Sequence, residues 1–291
     1  MKTPLRSAHH RRRFFSSSLL AIALGLLISR SAEGFVFPAS ITVPVVAEAA
    51  GASGEFFRTS IAISNRGATS VFFYVIAFPE ITGDSVPYSS CNRDPRYPTG
   101  QEVTPGATVV IGSESFRNSI EPDPAKPAVG FLEVTPSDPS RLPDLVVRTR
   151  IYAETAEGTF GQEIPSIRGS EGFLPGERTL QLFGLQKDAS GTRTNVGIFI
   201  PPSECGTTGG APASVRLSSF WSNGQQNSPS LDIEATVGGI TRIDDVFGRV
   251  GVTGACEDCR IAIFSPVNFF AYASIVDGGT SDPTFVAGQP Q

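Results

Sequence analysis

Short runs rich in β-branched and aromatic residues alternate with Gly, Pro, Asn and Ser along most of this 291-residue chain. Such runs are typical of β-strands bounded by turns. Beyond the N-terminal region, no stretch of about eleven residues has the apolar period of an amphipathic helix. The pattern predicts an all-β fold, most economically a sandwich or jelly roll. The clearest predicted strands are 70–78, 108–111, 129–134, 145–152, 215–221, 260–264 and 269–276.

Similar segments recur at long spacing. The segment 58–63 (Arg-Thr-Ser-Ile-Ala-Ile) is similar to 193–198 (Arg-Thr-Asn-Val-Gly-Ile), and 147–152 is similar to 271–276. A repeat longer than a hundred residues indicates two copies of one domain. The sequence therefore predicts two tandem antiparallel β-sandwich domains, Ig-like or jelly-roll-like. Their predicted bounds are 36–168 for copy one, 169–177 for the linker and 178–288 for copy two.

The predicted strand 71–78 is apolar on both of its alternating faces, whereas a sandwich strand needs only one apolar face. We expect the second face to be covered by the partner domain or a long loop. A protein-binding surface is the alternative.

Alternation along the last strand of each copy predicts which side chains point inward. Glu133 should face outward and pair with Arg148 or Arg150 on a neighbouring strand. Arg58 and Arg193, which open the similar strands, should lie on an outer face rather than in a site. The inward set is Val147, Thr149, Ile151, Ala271, Ala273 and Ile275, and the outward set is Arg148, Arg150, Tyr152, Tyr272, Ser274 and Val276.

The N-terminus has the charge order of a secretory signal, with Lys2, Arg6 and residues 11–13 ahead of the apolar run 19–28. That run is too short to span a bilayer. We predict a signal peptide at 1–33 and, after its cleavage, no membrane span. The string 11–15 (Arg-Arg-Arg-Phe-Phe) also resembles a twin-arginine export motif, so both the general and the twin-arginine routes stay open. The expected location is secreted, periplasmic or cell-surface.

Composition narrows the classes of function. The segment 1–33 holds six of the 23 basic residues and one of the 28 acidic residues, so the exported remainder is strongly acidic. Such a chain lacks the Lys and Arg clusters that nucleic acid or anionic lipid require. Both histidines, His9 and His10, lie in the signal, which excludes Ser-His-Asp triads, Cys-His pairs and imidazole metal sites from the exported chain. We therefore expect no enzyme.

Four cysteines in an exported chain predict disulfides. Cys256 and Cys259 lie in what the sequence predicts to be a loop or hairpin tip, with no helix following to favour redox chemistry. Either these two pair with each other, which would leave Cys91 with Cys205, or one of them pairs with Cys205. We favour the first pattern.

Carboxylates and aromatics supply the remaining candidates. Asp244, Asp245, Asp277 and Asp282 are acidic enough to hold calcium, but turn formation and capping explain Asp beside Gly equally well. A sugar ring could stack on aromatic side chains that precede a polar loop. The candidates are Trp221 and Phe220, with Asn223 beside them.

The strand opening at Arg193, the turn 244–247 (Asp-Asp-Val-Phe) and the closing segment 271–285 together resemble an uncharacterised β-sandwich repeat of exported proteins from environmental bacteria. The resemblance covers nearly all of the exported chain, and no activity is known for that family. Copy one departs from it, with Glu114-Ser115-Phe116 in place of the paired aspartates.

These observations lead to a functional expectation. We expect an exported, non-catalytic binding or structural protein in adhesion, matrix or envelope assembly, whose partner is a protein or glycan at the cell surface. One alternative is a carbohydrate-binding module, and another is a carboxylate-dependent hydrolase. The hydrolase requires two facing acids in a cleft, at least one with a raised pKa.

Overall fold

Strands form nearly all of the regular structure, as the short β-branched runs predict. The computed structural model describes residues 40–51, 55–79, 100–155, 158–168, 174–201, 212–235, 237, 239–280 and 282–291. The predicted signal peptide, part of the predicted linker, Cys91 and Cys205 lie outside these residues. The prediction of an all-β fold with antiparallel sheets is confirmed.

The strands divide into a first set, β1–β9, and a second set, β10–β18. The first set consists of β1 (Ile41–Ala50), β2 (Phe56–Asn65), β3 (Val71–Pro79), β4 (Gln101–Val103), β5 (Thr108–Gly112), β6 (Ala128–Pro136), β7 (Leu145–Thr155), β8 (Gly158–Ile164) and β9 (Ile167–Arg168). The second set consists of β10 (Thr179–Lys187), β11 (Arg193–Ile200), β12 (Ala213–Phe220), β13 (Leu231–Ala235), β14 (Gly239–Ile243), β15 (Cys256–Phe264), β16 (Phe270–Val276), β17 (Pro283–Ala287) and β18 (Gln289–Pro290).

Helical segments are few and short in the described chain. Two α-helices, α1 (Arg117–Ile120) and α2 (Val246–Arg249), follow β5 and β14 respectively, with a 3-10 helix at Ser113–Ser115 just before α1. Another 3-10 helix, Pro139–Asp144, precedes β7.

The first set forms one curled sheet of nine strands. Its path is β4-β3-β6-β1-β2-β7-β8, with β5 paired to β2 and β9 paired to β1. The sheet curls at β1, because residues 41–48 of this strand pair with β6 while Ala49 and Ala50 pair with β2.

The second set forms two sheets, with strand orders β13-β12-β15-β10-β18 and β14-β11-β16-β17. Each of these strands has the neighbours of the strand nine places earlier in the chain. For example, β11 lies between β14 and β16, as β2 lies between β5 and β7. The pairing of β1 with β2 has no counterpart between β10 and β11 in the strand orders.

Each set has its own apolar core, and a third cluster joins the two sets. In this shared cluster Phe131 of β6 stacks on Phe78 of β3, with ring centroids 4.5 Å apart, and its edge meets Phe199 of β11 at 4.6 Å. Ile240 and Tyr272 of the second set complete the contact. The two sets are therefore packed together rather than joined only by a linker.

The shared cluster explains the doubly apolar strand β3. Val71 and Phe73 point into the first core, while Ile76 and Phe78, on the opposite face, pack in the shared cluster. Earlier on that second face, Phe72 and Tyr74 remain 41% and 38% exposed. The second set thus covers only the later half of this face.

Side-chain alternation agrees with the prediction in β7, where Val147, Thr149 and Ile151 are buried. In β16 the expected outward residues, Tyr272, Ser274 and Val276, are buried as well. Sequence reasoning placed them on a solvent face, but that face lies against the first set.

The predicted pairing of Glu133 with Arg148 or Arg150 is wrong. Glu133 lies in β6, which pairs with β1 and β3, and its side chain is buried. Arg148 in β7 instead forms a bidentate pair with Glu163 of β8, at 3.0 and 2.9 Å. Arg150 donates to Thr159 of β8 and lies over the ring of Tyr152.

Candidate functional site

A cavity of about 410 Å³ opens along the contact between the two sets. The second set contributes residues of β11, β14, β16 and β17, and the first set contributes residues of β1, β2, β6, β7 and β8 with the loop before β2. This volume is in the range of small-molecule pockets, roughly 300–1,000 Å³, which often form between packed domains.

The alternation of β11 determines the character of the wall on the second set. Arg193, Asn195, Gly197 and Phe199 share one face of the strand. Phe199 is buried in the shared cluster, whereas the other three line the cavity. The wall therefore changes from apolar to charged along a single strand.

Two amides in the lining have their oxygens occupied. Asn195 Oδ1 accepts the backbone N–H of Asp245 at 3.0 Å. Gln162 Oε1, from β8, accepts the hydroxyl of Ser274 at 3.2 Å. Both bonds leave the NH₂ ends of these amides without an acceptor among the residues that the structure describes.

Four charged side chains also line this cavity: Glu55, Arg193, Arg242 and Asp244. Arg193 forms no ion pair with any residue that the structure describes. Arg58, in the corresponding place of β2, is exposed and lies 3.4 Å from Glu154. The expectation of an outer face fits Arg58, but the outward face of Arg193 meets the first set.

A second cavity, of about 540 Å³, lies between β13 and β14. These strands are the ends of the two sheets of the second set. Arg242 and Asp244 line both cavities. The charged residues at the end of β14 therefore separate the two cavities.

The aromatic candidates do not form an exposed platform at β12. Trp221 packs against the core of the second set. Phe220 is half-buried, with the guanidinium of Arg260 at 4.4 Å from its ring centroid. Asn223 accepts the backbone N–H of Gln225 within a turn.

The four candidate cation ligands fall in two separate turns, Asp244 and Asp245 in one and Asp277 and Asp282 in the other. Asp245 caps α2 by accepting from Gly248 N at 3.2 Å, and Lys187 Nζ lies 3.4 Å from its other oxygen. Asp277 Oδ1 accepts from the backbone N–H of Gly279 and of Thr280, at 2.9 and 2.7 Å. Asp244 and Asp282 are exposed. Within the described parts of the chain, no three His, Cys, Asp or Glu residues form a metal-binding group.

Cys256 and Cys259 form a disulfide, which confirms that part of the cysteine prediction. The predicted loop is instead the start of β15, at a break in register between β15 and β10. Both cysteines are buried in the core of the second set, and Asp258 between them has φ of 53°. The proposed pairing of Cys91 with Cys205 falls outside the described residues.

Hydrogen bonds lower the pKa of five described carboxyl groups. A hydrolase of the predicted kind needs a raised pKa, and none of these shifts is upward. The principal donors are Ser140 to Asp138, Arg148 to Glu163, Ser190 to Asp188, Arg216 to Asp232 and the backbone of Thr280 to Asp277.

Sequence reasoning did not identify the cavity residues Glu55, Gln162, Asn195 and Arg242. The one signal present was the difference between the similar segments, where Asn195 replaces Ser60. The larger polar side chain of Asn195 lies on the face of β11 that meets the first set, whereas Ser60 lies on the corresponding face of β2, which has different neighbours.

None of the helices in the described ranges has the length and apolar character needed to cross a membrane. Comparison of the chain with protein-family models, with curated proteins and with solved structures found no match.

Proposed function

We propose that this chain is an exported, non-catalytic binding protein of the cell surface, built from two copies of one nine-stranded β-sandwich. The shared strand order of β1–β9 and β10–β18 supports the two-copy arrangement. The copies meet through different faces, because the β3-β6-β1 side of the first packs on the β14-β11-β16 side of the second. In such a heterologous contact each copy uses a face that the other does not. The β5-β2-β7 side of the first copy and the β12-β15-β10 side of the second therefore stay open.

The open face of the second copy has an arginine at one position where the first copy has an aromatic ring. Its Phe220–Arg260 stack occupies the register position of the Phe78–Phe131 stack. A desolvated arginine would disfavour a further copy there. This supports a closed pair of copies rather than an open-ended array.

The exposed aromatic pair on β3 carries the proposed binding function. Phe72 and Tyr74 contact each other edge to face, with centroids 5.4 Å apart, on the side of β3 that the second copy leaves uncovered. Exposed apolar surface continuous with a buried interface is characteristic of binding surfaces. The absence of histidine from the exported sequence supports a non-catalytic role.

A glycan is the second candidate ligand, and the same aromatic pair favours it. Aromatic rings can stack on the apolar faces of sugars, and Phe72 and Tyr74 offer two such rings at the surface. The site differs from the one expected at Trp221.

Co-sedimentation with isolated cell envelopes and a glycan array test this proposal. We expect the purified protein to bind one of the two, and the double variant Phe72→Ser/Tyr74→Ser to lose about tenfold or more in affinity. Val110→Ser is the matched control, because Val110 is 66% exposed on β5. Absence of binding by the parent protein in both assays, or equal binding by the double variant, would contradict the proposal.

A further inference from the structure

The cavity between the two sets combines apolar walls with hydrogen-bond donors that have no acceptor among the described residues. The walls of the first set include Val45, Phe57 and Ile151. Opposite them, Arg193 and the NH₂ group of Asn195 on β11 provide donors, and Gln162 on β8, the register partner of Ile151, adds a third from the first set. An occupant of this cavity therefore meets the apolar side chains of the first set together with donors from both sets.

Hydrogen bonds hold both amides of this cavity at their oxygen ends. A backbone N–H holds the oxygen of Asn195, and a hydroxyl of the buried Ser274 holds the oxygen of Gln162. Asn195 cannot turn its oxygen toward a ligand without leaving the N–H of Asp245 unpaired, whereas Gln162 can bond Ser274 through either end of its amide, because a hydroxyl both donates and accepts. A ligand that satisfies the donors of Arg193, Asn195 and Gln162 must therefore carry a hydrogen-bond acceptor. An anionic oxygen is the acceptor that pairs best with the guanidinium of Arg193.

We propose that this cavity binds a small organic carboxylate whose apolar body packs between the two sets. The carboxylate accepts from Arg193, Asn195 and Gln162, and the body contacts the apolar wall of the first set. This site goes beyond the proposed surface function and does not depend on it, because it uses none of the exposed aromatics of β3.

The acidic side chains in the lining affect which kind of carboxylate ligand binds best. Glu55 and Asp244 bring negative charge to the same cavity as Arg193 and Arg242. An α-ammonium group on the ligand would complement these acids. A fatty or aromatic acid and an apolar amino acid both offer the carboxylate. Only the amino acid also offers an ammonium group to Glu55 and Asp244.

Calorimetric titration of the purified protein separates these ligands. The probes are hydrocinnamate, octanoate and L-phenylalanine, with uncharged hydrocinnamamide as the control. We expect at least one carboxylate to bind, and the amide to bind about tenfold or more weakly than hydrocinnamate. Tighter binding of phenylalanine than of hydrocinnamate would assign the ammonium group to Glu55 and Asp244.

Variants test the donors directly. Arg193→Gln should weaken carboxylate binding about tenfold or more, and Gln162→Glu should do the same because it replaces a donor with a negative oxygen of equal shape. Arg58→Gln, at the corresponding exposed position of β2, should leave binding unchanged. Unaltered melting temperatures would show that the variants fold.

Three results would overturn the proposal: no binding of any carboxylate, equal binding of acid and amide, or unchanged binding by both cavity variants. If one variant fails to fold, the other still decides the question. Loss of envelope or glycan binding alone leaves this site in place, because those assays report on Phe72 and Tyr74.

Discussion

At the scale of single residues, the threonine of the similar Arg-Thr segments has a structural role. The hydroxyl of Thr194 donates to Gln186 O at 2.7 Å and accepts from Gln186 N at 3.2 Å. Thr59 makes the same two bonds to Ala47, at 2.9 and 2.8 Å. One buried hydroxyl thus satisfies both backbone groups of a residue that follows a break in the strand register. The repeated threonine is explained by this bond rather than by a binding site.

Replacing Thr194 with valine should therefore destabilise the protein. The substitution keeps the shape of the side chain but leaves the N–H and C=O of Gln186 without their partner, at a cost of about 1–3 kcal/mol. Urea unfolding measures the change, and Thr59→Val should cost a similar amount. A loss below about 0.5 kcal/mol, the size of an ordinary surface effect, would contradict this role.

Asp277 should make stability dependent on pH. Hydrogen bonds from the backbone and hydroxyl of Thr280 and from the backbone of Gly279 lower the pKa of this exposed carboxyl. A lowered pKa means that its stabilisation is present above the ordinary Asp pKa of about 3.9 and is lost as the pH falls through the folded-state value. Asp277→Ala should therefore lower the melting temperature at neutral pH, and the difference from the parent should shrink below about pH 4.

The control for this experiment is Asp282→Ala in the same turn. The backbone oxygen of Asp282 accepts from Asp277 N, which the substitution preserves. Its melting temperature should follow that of the parent. A constant difference between Asp277→Ala and the parent at every pH would show that ionisation of Asp277 does not contribute.

At the scale of elements, β11 depends on a glycine to fit against its neighbour. A Cβ on Gly197 would overlap the ring of Tyr272 in β16. That ring is buried and stacks on Phe285 of β17, with centroids 5.4 Å apart. The absence of a side chain at Gly197 therefore lets three adjacent strands present one packed aromatic surface to the first set.

Gly197→Ala should displace this ring. Overpacking at a buried site costs roughly 1–3 kcal/mol, and here it should also alter the cavity that Gly197 and Tyr272 line. Gly254→Ala is the matched control, because a Cβ there meets no atom within 4 Å. Chemical denaturation of both variants measures the difference, and equal stability would show that Tyr272 has room to move.

At the scale of the whole molecule, the shared cluster couples the two sets. Phe131 is fully buried between Phe78 of its own set and Phe199 of the other. The described residues from 40 to 291 accordingly belong to a single compact unit. Loss of either set would expose the aromatic surface of its partner.

Calorimetry should therefore show one unfolding transition for the parent protein. Phe131→Ala should destabilise it by about 3–5 kcal/mol, the usual cost of removing a buried phenylalanine. Val110→Ala, at an exposed position of β5, should change stability by less than about 0.5 kcal/mol. Two separate transitions in the parent would show that the sets unfold independently.

Prediction succeeded where local pattern decides the outcome. The all-β character, the strand 145–152 and the inward face of β7 follow from turn residues and two-residue alternation. It failed at Glu133, because strand order depends on pairings between distant segments. It also failed at Tyr272 and Ser274, because alternation separates two faces of a strand without revealing what covers each of them.

The sequence by itself determined the all-β character, the clearest strands and the Cys256–Cys259 pair as one of two options. Only the tertiary structure decided that Arg193 lines a cavity while Arg58 stays exposed. The physical reason is that the two strands share a local pattern but meet different surfaces. The local pattern of residues determines which face of a strand is apolar. Whether that face is covered or exposed depends on packing between residues more than a hundred positions apart.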